Sequence, residues 1–387
     1  MVVRASFGIF YDLLAGSTQR AQNPIGNWPN TMLLVGTENR NVITATANNL
    51  FGGNDPRIPL PTPLASYNYY YDPRMKDPYS EQWHVEVQKE LPGSAQLTVG
   101  YVDSHSVRLA VGGDYNTALT PGPGPTQPRA LWPNDPVSLW DRSVGQSKYN
   151  ALQAKFEKRF SSGFSSLLAY TWSKSIDVAT SGQFNTENLS LQNPYDPNES
   201  RSVSGFDIPH YFTIAAIYEL PFGHGKRWVR DGIVSRLVGS WRINSIVQLR
   251  SGQPFTLFTN VDIANTGAIA GSSQDRPDLV GNPYIDRPSP TLWFNKSAYA
   301  VPKPYTFGTS GRNQLRSGSY RNVDFSLFRE DAITERVRMQ IRAEAFNVLN
   351  HPSFGIPQTL ITSPSFGQVS GTVSTARQIQ LGLKLNF

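Results

Sequence analysis

RQIQLGLKLNF, residues 377–387, alternates between apolar and polar side chains from Ile379 to the last residue. Because successive side chains of a β-strand point to opposite faces, this period of two gives a strand one apolar face and one polar face. The segment therefore predicts a strand that lies between an apolar phase and water. The residues of the apolar face are Ile379, Leu381, Leu383, Leu385 and Phe387.

The same alternation recurs upstream in segments of about ten residues, the length of a tilted membrane-spanning strand. In segment 335–346, apolar residues alternate with a row of charged side chains that includes Arg338 and Arg342. A charged row of this kind has to face water, because burying unpaired charges in a protein core is too costly. The pattern predicts about ten strands, in segments 2–11, 80–91, 94–102, 149–160, 164–175, 210–220, 236–250, 321–330, 335–350 and 377–387.

The composition excludes a membrane protein made of helices but is compatible with a membrane β-barrel. The chain has 387 residues, a mean hydropathy of -0.37 and no apolar run near eighteen residues, which excludes a bundle of transmembrane helices. A membrane β-barrel remains compatible, because every second residue of its wall faces a polar lumen. Aromatic residues reach 12% and charged residues only 17%, a profile typical of a β-rich chain.

The connections between these segments alternate in length, as they do in outer-membrane barrels with short turns at one end and long loops at the other. Five long structureless connections would be unusual in a compact soluble domain. Short connections are predicted near 91–93, 161–163, 221–235 and 330–333. Long connections are predicted at 12–79, 103–146, 174–207, 251–318 and 348–375.

Charge and residue content exclude several classes of protein. The 35 Lys and Arg residues exceed the 29 Asp and Glu residues but are dispersed, which argues against a nucleic-acid partner. Absence of cysteine excludes disulfide frameworks and thiol catalysis. The five histidines form no His-x-x-x-His pair, and no GxSxG elbow, Walker loop or dinucleotide fingerprint occurs. We therefore expect no enzyme activity, no cofactor and no metal.

Four further segments carry a family resemblance: YTWSKSID (170–177), SGQPFTLF (251–258), DRPDLVGNP (275–283) and AEAFNVLNHPSFG (343–355). In this order they resemble the β-barrel of Oar-like TonB-dependent outer-membrane proteins. The resemblance implies an all-β fold, with residues 1–387 forming one antiparallel transmembrane barrel region in the outer membrane. Large transporters of this type have about 22 strands, so about ten strands correspond to the C-terminal part of the wall.

The resemblance also implies partners. The wall would contact outer-membrane lipid, and TonB would act only through a plug, which this sequence does not contain; a signal peptide is not recognisable in residues 1–12 either. The apolar face from Ile379 to Phe387 resembles the C-terminal signal that barrel-assembly machinery recognises by strand addition. The alternative is that it is an ordinary final strand.

Aromatic residues provide two sets of candidates. Those near strand ends predict a membrane-interface girdle, with core packing in a soluble β-sandwich as the alternative. The girdle candidates are Trp83, Tyr101, Tyr170, Trp172, Tyr211, Tyr218 and Trp241. Aromatic residues in the loops are candidates for contact with an unknown solute, or they pack loop against loop. These are Trp28, Tyr69, Tyr70, Tyr71, Trp132, Trp140 and Trp293.

Two functions follow from these patterns. The first is the barrel of a TonB-dependent transporter or receptor, with the wall as a scaffold and the long loops capturing a solute for energised uptake. The second is a structural or adhesive protein of the cell surface without transport activity, built as a smaller self-contained barrel or a soluble sandwich. The sequence does not discriminate among siderophore, oligosaccharide and peptide ligands.

Overall fold

The computed structural model describes residues 1–12, 68–72, 74–133, 138–178, 191–267, 275–334 and 336–387. These residues form sixteen strands, one short α-helix and three turns of 3₁₀-helix, at Gln127–Arg129, Pro197–Ser200 and Lys296–Ala298. The α-helix, α1, is Gly232–Val238. The strands are β1 Val2–Tyr11, β2 Asn68–Tyr71, β3 Tyr79–Leu91, β4 Ala95–Tyr115, β5 Ser138–Ser161, β6 Phe164–Asp177, β7 Ser202–Val203, β8 His210–Glu219, β9 Trp241–Arg250, β10 Pro254–Phe255, β11 Asp278–Leu279, β12 Tyr299–Ala300, β13 Leu315–Arg316, β14 Tyr320–Ala332, β15 Arg338–Phe346 and β16 Gln378–Asn386.

Ten of these strands form the wall, in the order β1-β3-β4-β5-β6-β8-β9-β14-β15-β16, and every neighbouring pair is antiparallel. The prediction of an all-β antiparallel sheet of about ten strands is confirmed. Of the short strands, β2 pairs only with β5, and β7 pairs only with β6. Within the described ranges the sheet is open, with β1 and β16 as its two edges.

One apolar face runs through the whole wall, because residues at directly paired positions share a face of the sheet. Leu327 of β14 lies opposite Ala343 of β15, which lies opposite Leu381 of β16. The apolar residues of this face include Val3, Ala5, Phe7, Trp83, Val85, Val87, Leu97, Val99, Tyr101, Leu152, Ala154, Phe156, Leu168, Tyr170, Trp172, Phe212, Ile214, Tyr218, Trp241, Ile243, Val247, Val323, Phe325, Leu327, Met339, Ile341, Ile379, Leu381, Leu383 and Leu385.

The two ends of the wall differ. One end, which we call the turn rim, carries the connections 92–94, 162–163, 220–240 and 333–337. The opposite end, the loop rim, carries the connections 116–137, 178–209, 251–319 and 347–377. This matches the predicted alternation of short turns and long loops.

Two boundaries differ from those predicted. Half of the segment 103–146 is strand, because β4 and β5 stay paired up to Tyr115 and Ser138, across register shifts between Val107 and Val111. Pairing of the backbone continues there although the side chains no longer alternate in polarity. The predicted strand 236–250 begins only at Trp241, since the residues before it form α1.

The largest cluster of buried apolar residues lies at the loop rim and not between sheet layers. Phe294 is its centre, with ring centroids 5.2 Å from Phe366, 5.8 Å from Tyr299 and 6.2 Å from Phe255. Phe366 comes from the connection 347–377 and the other three come from 251–319. Two long loops therefore share one hydrophobic core.

Two arginines, one buried and one partly exposed, tie this core to the connection 178–209. The Arg312 side chain is only 4% exposed; it forms an ion pair with Asp177 and donates from Nε to the Ser200 carbonyl at 2.8 Å. The Arg316 guanidinium pairs with Asp207 and donates to the Gly252 carbonyl at 3.1 Å. These contacts fix three loops of the rim in one arrangement.

Asp275 is a buried carboxyl within the same assembly, with only 4% of its surface exposed. Its Oδ2 accepts the Ala264 N–H at 2.9 Å. Burial, together with the nearby negative charge of Asp262, raises the pKa of Asp275 from 3.8 to about 6, against the opposing effect of the Ala264 N–H. The folded loop therefore retains this proton in a pH range where the unfolded chain has lost it.

Leu381→Arg places a charge on the apolar face and is expected to lower the free energy of unfolding by about 2 to 4 kcal/mol, if the residue lies at mid-depth in the bilayer. Lys384→Gln, on the opposite face of the same strand, should change it by less than about 0.5 kcal/mol. Denaturant titration of the full gene product in lipid vesicles measures both. Equal effects at the two positions would contradict the assignment of faces.

The stability of the loop that contains Asp275 should depend on pH. Because the pKa of Asp275 is raised on folding, its favourable contribution is complete below about pH 4 and disappears as the pH rises through about 6. The shift corresponds to about 3 kcal/mol. Amide exchange at Ala264 should be slower, relative to the intrinsic rate, at pH 4.5 than at pH 7.5, and Asp275→Asn should abolish this difference. Asp286→Asn, at an exposed carboxyl of the same connection, is the control and should preserve it.

Candidate functional site

Trp293 lies where the connections 251–319 and 347–377 meet. Its indole N–H donates to the Arg316 carbonyl at 2.9 Å, and its backbone N–H donates to the Gly367 carbonyl at 3.0 Å. Its ring packs edge-on against Phe354 at 6.0 Å between centroids. Both loops therefore position this side chain, which sequence analysis identified as a candidate contact for a solute.

A cavity of about 740 Å³ at the loop rim borders Trp293. Its walls combine the aromatic rings of Tyr284, Trp293 and Phe354 with the polar side chains of Arg321 and His351. Aromatic surface with a few polar groups is typical of small-molecule sites. We call this space the Trp293 cavity.

Three features keep the Trp293 cavity open and its polar groups available. A Cβ atom at Gly318 would lie 3.2 Å from the Trp293 ring and 3.3 Å from the Phe354 carbonyl oxygen, closer than side chains comfortably pack. The His351 Nδ1 atom is buried, and no hydrogen-bond partner for it occurs among the residues described. Among the described residues, the exposed Arg321 donates from its side chain to the Ser319 hydroxyl, at 3.2 Å from Nε, and its guanidinium can also meet solvent or a ligand.

A second, smaller cavity of about 230 Å³ lies against the polar face of the wall. Phe206, Asp207 and Ile208 border it from above, and hydroxyl and amide side chains of β5 and β6 form its floor. Asp207 of this cavity pairs with Arg316, which also borders the Trp293 cavity. The residues that line the floor and side are Tyr149, Gln153, Thr171, Ser173, Ser175 and Tyr211.

The position of Tyr211 contradicts the prediction that this residue belongs to the membrane girdle. The register places it opposite Thr171 and Arg250, on the polar face, so it does not belong to a membrane girdle. Its neighbour Phe212 occupies the apolar face instead. The other six girdle candidates lie on the apolar face as predicted: Trp83, Tyr101, Tyr170, Trp172, Tyr218 and Trp241.

Charges on the polar face are paired across or along the strands. Arg242 lies 3.4 Å from Glu219, which also binds Lys226 at 2.5 Å. Arg338 and Arg342 pair with Glu330 and Glu344, at 3.1 and 3.4 Å. The predicted charged row therefore forms a hydrated wall with balanced charge and not a concentrated binding site.

The remaining loop aromatics belong to segments of the chain other than the connections 251–319 and 347–377. Trp28 lies outside the described residues. The backbone of Tyr69, Tyr70 and Tyr71 belongs to β2, whose parallel pairing with β5 places Tyr70 opposite Trp140.

Trp132 belongs to the connection 116–137. Asn116 holds its backbone, accepting the Trp132 N–H at 2.8 Å and donating to the Trp132 carbonyl at 3.1 Å. Its side chain is 40% exposed and does not line the Trp293 cavity.

Sequence reasoning missed Tyr284, Phe354, Arg321 and His351. The one available signal was that HPSFG, which contains His351 and Phe354, belongs to a segment that carries the family resemblance. The predicted assembly-signal residues lie on the apolar face of edge strand β16, and their role in assembly stays a prediction. Their exposed fractions are 72% for Ile379, 80% for Leu381, 67% for Leu383, 45% for Leu385 and 92% for Phe387.

The described residues do not support a metal site or a membrane-spanning helix. No three His, Asp or Glu side chains among them are placed to hold a metal ion. None of the described helices has the length and apolar character needed to cross a membrane.

Comparison with solved structures finds outer-membrane proteins at low identity. The outer-membrane transporter YddB from Escherichia coli is 9% identical with a TM-score of 0.42, over 84% of this chain and 34% of that one. The ferric-catecholate import receptor Fiu from E. coli K12, in a closed form, is 10% identical with a TM-score of 0.42, over 99% and 32%. The siderophore receptor PiuA from Acinetobacter baumannii is 10% identical with a TM-score of 0.41, over 80% and 28%.

This chain thus spans about a third of the length of these structures or less. No curated protein matches it significantly in sequence. A family model described as an outer membrane beta barrel domain matches residues 1–380, nearly the whole chain. The chain therefore belongs to the outer membrane β-barrel domain family, and its ten-stranded sheet is the wall of such a barrel in the outer membrane.

Proposed function

We propose that this chain is one section of the wall of a TonB-dependent transporter or receptor, and that its loop rim captures a solute for energised uptake. The proposal joins the membership in the outer membrane β-barrel family to the resemblance to Oar-like proteins in four segments. TonB would act through a plug that lies elsewhere in the assembled receptor.

The open sheet is the observation on which this proposal depends. β1 and β16 form its edges, and neither edge is paired within the described ranges. Unpaired N–H and C=O groups at the depth of the hydrocarbon cost several kcal/mol each, so membrane sheets close completely. Further strands between β16 and β1 satisfy both edges, as a wall of about 22 strands requires.

The loop rim provides the capture surface. Its connections are ordered by a shared hydrophobic core and by Arg312 and Arg316, whereas those of the turn rim are mostly short. The Trp293 cavity offers rings for stacking together with Arg321 and His351. This chemistry fits a solute that has both an apolar ring surface and a negative charge.

Edge strand β16 also fits the proposed contact with barrel-assembly machinery. An edge strand can pair with a strand of another protein through its main chain, and its alternate side chains are exposed.

The competing function is a self-contained barrel of ten strands with a structural or adhesive role at the cell surface. In that arrangement β1 would pair directly with β16, since the two strands run antiparallel around the wall. The two functions therefore differ in which strand lies next to β1.

Engineered disulfides distinguish the two arrangements, because the chain contains no cysteine of its own. Ala5→Cys in β1 would be combined in turn with Leu381→Cys, Leu383→Cys and Leu385→Cys in β16, to cover three registers. A disulfide needs Cα atoms about 4.4 to 6.8 Å apart. In a larger wall we expect no crosslink from any of these pairs after oxidation of outer membranes from cells that express the full gene product.

The control pair is Ala343→Cys with Leu381→Cys, which lie directly opposite each other in β15 and β16. It should crosslink readily under the same oxidation, as seen by altered migration of the unreduced protein. A high yield from any β1–β16 pair would show that the wall closes on itself, and would favour the structural or adhesive function.

Binding of an anionic aromatic probe tests the capture site. Trp293→Ala and Arg321→Gln should each weaken the binding of naphthalene-2-sulfonate to the purified full gene product about tenfold, or about 1.4 kcal/mol, because each removes a direct contact. Titration calorimetry measures the dissociation constants. Trp132→Ala removes an exposed loop tryptophan outside the cavity and should leave binding unchanged. If all three variants bind like the original protein, the Trp293 cavity is not the capture site.

A further inference from the structure

The connection 220–240 is the longest on the turn rim and contains α1. We propose that α1 and the residues before it form an interfacial anchor, which lies on the inner leaflet of the outer membrane and contacts anionic phospholipid headgroups. This inference rests on the family membership and does not depend on transport.

Hydrogen bonds from two wall residues, Arg329 and Trp241, fix the position of α1 relative to the wall. Trp241 and Arg329 lie opposite each other in β9 and β14, and both belong to the apolar, lipid-facing side of the sheet. Arg329 donates to the backbone carbonyls of Arg236 and Leu237, and the Trp241 indole N–H donates to the Leu237 carbonyl at 3.0 Å. The C-terminal end of α1 is therefore tied to the lipid-facing side of the wall.

Close backbone packing fixes this position. A Cβ atom at Gly239 would lie 2.6 Å from the Ser235 carbonyl oxygen and 3.1 Å from the Gly223 Cα, so only glycine allows the helix end to pack against the start of the connection. The Ser235 hydroxyl, which is buried, donates to the Arg230 carbonyl at 3.0 Å. The buried side of α1 thus faces its own connection.

The other side of α1 is apolar and uncovered. Ile233 is 78% exposed, Val234 is 58% exposed and Leu237 is 66% exposed. Residues four apart on a helix lie above one another, so Ile233 and Leu237 share one face. Three large apolar side chains on a single short helix are unfavourable in water, but they are typical of a helix lying in the membrane interface.

Basic and aromatic residues surround this apolar face. Arg227, Arg230 and Arg236 are exposed, and Asp231 is the only acidic residue between His224 and Val238. Trp228 is half exposed, and the Arg227 guanidinium lies 5.5 Å from the centre of its ring. Tryptophan prefers the level of the headgroups, and each arginine near an anionic surface adds to the attraction.

Lipid fits this surface better than a periplasmic protein does. Through Trp241 the exposed apolar residues of α1 adjoin the lipid-facing side of the wall, where Arg329 is paired with Asp331 at 2.7 Å. The turn rim of an outer-membrane barrel faces the periplasm, so the adjacent leaflet consists of phospholipid. The excess of arginine then selects anionic headgroups over zwitterionic ones.

Spin labelling tests the anchor, since the chain has no native cysteine. Val234→Cys carries a nitroxide in the full gene product, reconstituted in bilayers of phosphatidylcholine with one third phosphatidylglycerol. Oxygen should relax this label several-fold more than a water-soluble nickel chelate does. Ser94→Cys, in the connection 92–94 of the same rim, is the matched control and should show the opposite preference.

The contact between the arginines and anionic headgroups is tested separately. Replacing phosphatidylglycerol by phosphatidylcholine should shift the Val234 label toward water, and Arg230→Gln with Arg236→Gln should remove the dependence on phosphatidylglycerol. A label at Val234 as accessible to nickel as the one at Ser94 would overturn the anchor. A buried label that is insensitive both to the lipid and to the arginine variants would overturn the contact with anionic headgroups and indicate a protein partner.

Discussion

Within a bilayer every backbone N–H and C=O group has to be hydrogen-bonded inside the protein, because the hydrocarbon offers no partner. The ten-stranded ladder meets this requirement between its strands, and each strand then gives one row of side chains to lipid and one to water. Leu381, Ala343 and Leu327 form one such lipid-facing row across β14, β15 and β16. The same requirement makes the two open edges the most informative feature of the wall.

The wall needs little conventional core, and most of the buried apolar residues lie in the long connections. At the loop rim Phe294 and its neighbours form a small core of their own. Arg312 binds the Asp177 carboxylate at the end of β6 and the Ser200 carbonyl, and Arg316 binds the Asp207 carboxylate. Buried ion pairs contribute little net stability, but removing one partner leaves an uncompensated charge. Such pairs therefore favour one arrangement of the loops over the alternatives.

The parts that the sequence predicts are those governed by a period of two. The lipid-facing residues of β16 and the strand count follow from alternation alone, because one face is wet and the other is not. Tyr211 was misplaced because an amphipathic ring suits either face, and only the pairing with Thr171 settles which one. α1 was missed because Leu237 fits the alternation of the strand that follows it. The partners of Trp293 come from segments far apart in sequence, which no local pattern connects.

The order of the loop rim bears directly on the proposed capture of a ligand. A flexible loop loses conformational entropy when it closes on a solute, by about 0.5 to 1.5 kcal/mol for each side chain that becomes fixed. Trp293 is already held by the Arg316 carbonyl, the Gly367 carbonyl and the ring of Phe354. Its cavity thus exists before any ligand arrives, and contacts made there contribute to affinity with little of that cost. A rim that served only to separate the barrel from neighbouring molecules would gain nothing from this order, whereas a capture surface gains affinity from it.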